Sequence, residues 1–190
     1  MNFLIPALRL FIVLSLLTGV LYPLVVTGLA QWWFPRQANG NLVRQDQTVA
    51  GSELLAQPFA GPHYFWPRPS AADFATMPSG ASNQGSTSLK LQHAVQARAQ
   101  ALRATHNLPV DAPVPPDLLT TSGSGLDPHI SPAAARFQLE RVARARGFDA
   151  GQHARCEALL PRLTEPPQWG FLGQARINVL RLNQALDEIQ

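Results

Sequence analysis

Leu10-Phe11-Ile12-Val13-Leu14-Ser15-Leu16-Leu17-Thr18-Gly19-Val20-Leu21-Tyr22-Pro23-Leu24-Val25-Val26-Thr27-Gly28-Leu29-Ala30 contains no charged side chain. Wound as an α-helix at ~1.5 Å per residue, it is about 32 Å long, close to the ~30 Å hydrocarbon thickness of a bilayer. It reads as one transmembrane helix over residues 10–30. Pro23 is tolerable there if a neighbouring helix or a side-chain hydroxyl re-satisfies the carbonyl it frees. Trp32, Trp33 and Phe34 follow, where amphipathic rings prefer the headgroup level, and Pro35 stops the helix. Residues 1–9 form a short tail whose only charge is Arg9, and residues 31–41 a linker at the membrane interface. The competing reading is a cleaved signal peptide, with Gly28 and Ala30 before Gln31. Against it, the apolar run exceeds the ~7–15 residues of a signal core, and the aromatic belt serves only a retained anchor. Loop charge leaves the orientation open, because Arg9 on one side faces Arg36 and Arg44 on the other.

Of the 190 residues, 46% are hydrophobic and only 14% charged, against a usual charged share of ~25%. All acidic residues and all basic ones but Arg9 lie beyond residue 30, yet that part remains charge-poor. Such a surface suits a chain partly covered by protein partners. The net charge of +3 comes from scattered arginines and the single Lys90, without the basic stripe of a nucleic-acid binder. Cys156 is the only cysteine, so no intrachain disulfide forms, and it reads as a buried inert thiol.

Residues 42–190 read as one α+β domain, dense in proline. Leu42 to Leu55 gives one or two short strands with a turn near Ala50, Gly51 and Ser52. Gln57 to Ser88 reads as an ordered, loop-rich surface, because Phe59, Tyr64, Phe65, Trp66 and Phe74 argue against disorder. One helix is predicted over Leu89 to Thr105, capped by Thr87 or Ser88. Another starts at the N-cap Ser131 with Pro132 behind it and stops at Gly147, with Arg136, Glu140 and Arg144 on its outer face. A shorter helix over Gly151 to Leu160 and a last one from Asn178 complete the set.

Thr120-Thr121-Ser122-Gly123-Ser124-Gly125-Leu126-Asp127-Pro128-His129 holds the residue types of a site. Ser122 or Ser124 with His129 would make a membrane-anchored serine hydrolase, but no G-x-S-x-G elbow is present. As a metal centre, Asp127 and His129 would need Asp73, His63, His93, His106 or His153 from afar. As a phosphate cradle, the run lacks the P-loop pattern and its lysine. The plainest reading is a tight turn leading into a capped helix. In Tyr64-Phe65-Trp66-Pro67-Arg68, the arginine amid aromatics points to stacking or a cation–π contact, as a partner interface or an internal loop clamp. The residues alone identify no reaction.

Taken in order, the motifs resemble one family. They are Thr18-Gly19-Val20-Leu21-Tyr22-Pro23-Leu24, Gln31-Trp32-Trp33-Phe34-Pro35, Gly51-Ser52-Glu53-Leu54-Leu55, Arg68-Pro69-Ser70-Ala71, Ser79-Gly80-Ala81-Ser82-Asn83, Ser124 through Pro132, Arg141-Val142-Ala143, and Asn178-Val179-Leu180. The chain resembles KdpC, the small single-span subunit of the Kdp potassium-transporting P-type ATPase. The resemblance implies a non-catalytic accessory subunit, a catalytic chaperone in high-affinity ATP-driven potassium uptake, with no cofactor of its own because the complex handles ATP and K+. Its implied partners are the P-type ATPase subunit, a potassium-channel-like subunit, a small single-span peptide and the bilayer. The implied location is the bacterial inner membrane, N-terminus cytoplasmic and domain extracytoplasmic, covering the potassium entrance, where Asp46, Glu53 and Asp73 would gather cations. Gly19, Tyr22, Pro23, Gly28, Trp32, Trp33, Tyr64, Phe65 and Arg68 are the expected partner contacts. A nucleotide contact in this family would fall on Ser122, Gly123, Ser124, Gly125 and Gln138, by a faint likeness to an ABC-type signature. A domain across the membrane from ATP cannot touch it, so an effect on ATP use reads as conformational coupling.

Overall fold

A long apolar run with one charge favours a single unbroken helix. In the computed structural model, which describes residues 3–45 and 48–189, the helix is continuous over Leu4–Trp33 and is long and apolar enough to cross a membrane. It comprises α1 (Leu4–Leu16), a π-helical turn (Leu17–Leu21) and α2 (Tyr22–Trp33). Its 30 residues extend about 45 Å at ~1.5 Å each, so both ends reach the headgroups. The helix thus begins earlier than residue 10, because Arg9 can carry its guanidinium to the interface on its aliphatic stem. At the other end the rings of Trp32 and Trp33 stack with centroids 5.8 Å apart.

Pro23 has no N–H, and in a regular α-helix its ring would collide with the carbonyl of Gly19. The helix answers by widening. The Tyr22 amide reaches back to the Leu17 carbonyl, the five-residue step of a π turn. Thr18 Oγ1 donates to the Leu14 carbonyl at 2.7 Å, so it is not the hydroxyl that rescues Gly19.

After α3 (Pro35–Ala38) come β1 (Leu42–Gln45) and β2 (Thr48–Ser52), an antiparallel pair with Gln45 opposite Thr48 and a bulge between Val43 and Arg44. The turn expected at Ala50-Gly51-Ser52 is therefore misplaced. Gly51 sits inside β2 opposite Val43, where β-branched Thr48 and Val49 carry the strand forward. Asp46, one of the expected cation-gathering residues, lies outside the described residues. The chain divides into two compact units, one up to Ser52 and one from Glu53, so the hairpin belongs to the same unit as the long helix.

The second unit contains α4 (Leu89–His106), a 3₁₀ turn (Pro116–Leu118), β3 (His129–Ile130), α5 (Pro132–Arg146), α6 (Ala150–Leu163), β4 (Thr164–Glu165), β5 (Arg176–Asn178) and α7 (Val179–Asp187). It is α+β, with a small antiparallel sheet in the order β3-β5-β4. The helices start and stop where their caps dictate. Ser131 Oγ accepts from the Ala134 amide, and Gly147 at φ +66° ends α5 in the left-handed region that favours glycine. Asp149 and Gln152 form a capping box on α6. Asn178 closes β5 and caps α7 through the Arg181 amide. Gly125 is needed twice over: its φ is +71°, and a Cβ there would lie 2.8 Å from the Gly80 carbonyl.

Helix α5 lies at the centre. Its Ala134, Ala135, Leu139 and Val142 are buried with Phe65, Ile130, Cys156, Leu160, Ile177, Leu182 and Leu186, and the two alanines permit close approach. Burial pushes the Cys156 thiol up to about 11, which makes it an inert packing group at neutral pH. Truncating Leu182, which is fully buried, leaves a cavity in this core. Leu182→Ala is expected to lower the unfolding free energy by about 2–5 kcal/mol, whereas Ser131→Ala costs about 1 kcal/mol through the lost cap. Urea unfolding of the detergent-solubilised chain, followed by tryptophan fluorescence, measures both, and a near-neutral Leu182→Ala would contradict the packing.

Candidate functional site

The aromatic segment Tyr64-Phe65-Trp66 has backbone polar groups and no strand to pair with. Two amide side chains serve instead. Asn183 of α7 accepts from the Phe65 amide at 2.8 Å and donates to its carbonyl at 3.0 Å. Gln138 of α5 does the same for Trp66, at 2.8 and 3.1 Å. Each amide thus imitates one rung of a β-ladder, and both residues are buried. One helical turn along α5, Arg141 donates to the carbonyls of Pro62 (2.6 Å) and Tyr64 (3.0 Å) and to Gln138 Oε1 (2.7 Å). Its guanidinium lies 3.8 Å from the centroid of the Trp66 ring. Burial lowers its pKa to about 10, so it stays charged at neutral pH.

His106, at the end of α4, completes the cluster. Its Nδ1 lies 2.7 Å from the Leu102 carbonyl, which requires a proton on Nδ1, and Nε2 accepts from Arg141 Nε at 3.2 Å. That arrangement admits only the neutral ring. The His106 pKa is lowered accordingly, first by burial and further by Arg141 and Arg144, although the hydrogen bond to Leu102 opposes the shift. Arg146 closes the far side of the loop, donating to the His63 carbonyl at 2.8 Å and to Asp187 at 2.6 Å, while Tyr64 donates to the same carboxylate at 3.3 Å.

The Ser122–His129 segment behaves as a run of turns. Ser124 Oγ accepts from the Leu126 amide at 3.1 Å, and Asp127 Oδ1 accepts from the His129 amide at 3.0 Å. His129 Nδ1 faces Asp127 at 3.2 Å, but neither Ser122 nor Ser124 hydrogen-bonds the imidazole, so the nucleophile–base contact of a hydrolase is missing. Burial alone would raise the Asp127 pKa, yet the bonds from His129 and the charge of Arg68 hold it below the usual value. Arg68 reaches Asp127 at 3.3 Å and the Thr121 carbonyl at 3.4 Å. A cleft of about 860 Å³ opens beside them, lined by Arg68, Asp127, His129, Arg136, Phe137, Arg176 and the proline-rich loop from Pro113. No cluster of three or more metal-ligating side chains occurs among the described residues.

The structure distributes the expected contact residues unevenly. Gly19, Tyr22, Pro23, Gly28, Trp32 and Trp33 all lie exposed on the long helix, with nothing within 4 Å of a Cβ built at either glycine. Phe65 is fully buried, and Tyr64-Phe65-Trp66 is an internal clamp. The cation over the aromatics is Arg141 rather than Arg68, whose guanidinium turns to Asp127 instead. Gln138 is fully buried and bonded to Trp66, and no hydrogen bond joins it to Ser122, Gly123, Ser124 or Gly125. Glu53 is buried and paired with Arg181 at 2.7 Å, which removes it as a free collector of cations. Reasoning from the sequence missed Arg141 and Asn183. The signal was present in α5, where Gln138 and Arg141 fall on the same face as Leu139 and Val142.

A helix long and apolar enough to cross a membrane, followed by a small α+β domain whose buried Gln138, Arg141 and Asn183 clamp an internal loop, defines a membrane-anchored chain with a small appended domain. Its residues 4–188 match the family model described as KdpC: K+-transporting ATPase, c chain. The chain is similar to the potassium-transporting ATPase KdpC subunits of Methylococcus capsulatus (53% identical over 188 residues, 97% of each chain), Rhodospirillum rubrum (55% over 185 residues, 96% of this chain and 94% of the relative) and Sorangium cellulosum (54% over 185 residues, 96% and 95%). The chain belongs to the KdpC family.

Two expectations arise from the clamp. Asn183→Leu keeps the volume but strands the amide and carbonyl of Phe65, at roughly 1–3 kcal/mol for each buried group left unpaired; the urea midpoint is expected to fall well below that of an exposed control such as Arg155→Ala. The second concerns pH. Because the His106 pKa is lower in the folded chain, the unfolded chain binds the proton first. Its contribution to stability is full above about pH 6.5 and is lost as the pH falls below it. Unfolding midpoints at pH 7.5 and 5.0 should therefore differ, and less so in His106→Gln; a flat wild-type profile would contradict the neutral-ring arrangement.

Proposed function

We propose that this chain is the non-catalytic accessory subunit of an ATP-driven potassium uptake complex. The observation that carries this reading is the family match over residues 4–188, joined to a membrane helix none of whose apolar window is buried against its own protein. In this reading α1–α2 packs against helices of the P-type ATPase and channel-like subunits and the small single-span peptide. Gly19 and Gly28 allow close backbone approach, Tyr22 and the π turn before Pro23 shape the contact, and Trp32 and Trp33 fix its depth at the headgroups. The membrane is the bacterial inner membrane, with the N-terminus cytoplasmic and the domain on the other face.

The domain acts on ATP use through conformation, by favouring one state of the pump, rather than by holding nucleotide. Ser122 and Gln138 are sealed inside the fold, which supports coupling over direct contact. ATP and K+ belong to the partner subunits. The test is the pump purified from cells that lack this chain: its potassium-stimulated ATPase is expected to be lost, and restored when the full chain is added back. Undiminished potassium-stimulated ATPase without the chain would defeat the reading.

A further inference from the structure

Among the described residues beyond Ser52, the exposed aromatics are Trp169 and Phe171, at 84% and 73%, with Leu172 beside them at 44%. They share one tight turn. Gln168 and Leu172 exchange backbone hydrogen bonds at 2.9 Å in both directions, and the Gly170 amide donates to the Pro167 carbonyl at 3.0 Å. Trp169 stands at φ +54°, a conformation a bulky side chain seldom adopts. The turn rises from β4 and β5, which pair Thr164 with Ile177 and Glu165 with Arg176. Two rings and a leucine are thus held out into water on an ordered support. Such groups lose little freedom on binding, and tryptophan is prominent among residues that dominate interface energies.

The surroundings say what kind of partner this turn fits. Residues 166–175 carry no charge, and the first cation beyond them, Arg176, is neutralised by Glu165 at 3.1 Å. A turn built to enter an anionic bilayer surface carries a cluster of free basic residues around it; this one has none in its own sequence, and a single unpaired arginine in the adjoining cleft is no such cluster. Gln174, Ala175 and Arg176 lead from the turn into the wall of the 860 Å³ cleft, whose lining also includes Arg136. Arg136 is exposed, and its guanidinium makes no hydrogen bond or ion pair among the described residues. An acidic group from outside would give it a partner.

The geometry points to a single docking face, made of the Trp169–Leu172 turn and the adjoining cleft. It receives an extramembrane segment of another chain of the transporter, one offering an apolar pocket to Trp169 and Phe171 and an acidic side chain to Arg136. This rests on the subunit role proposed above. Trp and Phe supply ~150–250 Å² of contact each, less than a free-standing interface needs, but an anchor in the same membrane raises the effective concentration of the second contact.

The test places a photo-crosslinking benzoylphenylalanine at position 171 of the full chain in the assembled complex, with position 110 as control, since Val110 is 86% exposed elsewhere on the domain. A crosslink from 171 to a peptide of another subunit, containing Asp or Glu, is expected, and none from 110. In parallel, Trp169→Ser with Phe171→Ser, and separately Arg136→Glu, should leave the circular dichroism spectrum unchanged. Each should lower potassium-stimulated ATPase at limiting chain concentration, by about tenfold or more for the double variant, the scale of losing a dominant interface residue. Crosslinking to lipid alone, to a second copy of this chain alone, or to nothing would overturn the docking face, as would wild-type activity of these variants. If removing the whole chain abolishes the ATPase while the variants retain it, only the docking face fails; if removal changes nothing, the subunit role itself fails.

Discussion

The second unit depends on one buried cation. Arg141 is 3% exposed in the middle of the central helix, and burying a guanidinium is unfavourable unless its nitrogens find acceptors. Here the carbonyls of Pro62 and Tyr64, the Gln138 amide oxygen and the His106 ring supply those acceptors, and the Trp66 face covers the plane. Each partner is thereby fixed in turn. The aromatic loop cannot leave without stranding the charge, α4 is tied in through His106, and Gln138 is oriented for Trp66. Asn183 repeats the device from α7, so a segment without regular secondary structure becomes as well bonded as an interior strand.

The residue types that the sequence offers as a site are drawn into local bonding of the same kind. Asp127 accepts from the His129 amide, Ser124 from the Leu126 amide and Gln138 from the Trp66 amide, and neither Ser122 nor Ser124 hydrogen-bonds the His129 ring. The N-terminal helix is the opposite case. Its backbone is bonded within the helix, its apolar window is not buried, and even its proline is accommodated by a π turn. The match to a family of potassium-transporting ATPase subunits fits that division between a domain packed on its own core and a helix long and apolar enough to cross a membrane.

Several elements were legible because their signals are local. The anchor follows from the absence of charge over its length. Helix α5 follows from Ser131, Pro132 and Gly147, and the last helix from Asn178, since a cap is a contact with a residue three positions away. The hairpin turn was misread because glycine signals both turns and strand positions opposite a bulge, and register is a property of the pair. The buried role of Arg141, though the residue stands in one of the family motifs, was not legible because an arginine between Glu140 and Val142 resembles any solvated helical residue. Only the loop near Tyr64, far away in sequence, makes its burial favourable.

By itself, then, the sequence determined the membrane-crossing helix, the α+β character, the capped starts of α5 and α7 and, through motifs in fixed order, the family. These depend on composition, periodicity and capping, which act within a few residues. Tertiary structure decided which polar side chains are interior fittings and which face outward. It moved the cation–π contact from Arg68 to Arg141, buried Phe65 and Gln138, and left Trp169, Phe171 and Arg136 exposed. The physical reason is that a polar group's role is set by the partners that replace its water, and those partners come from distant parts of the chain.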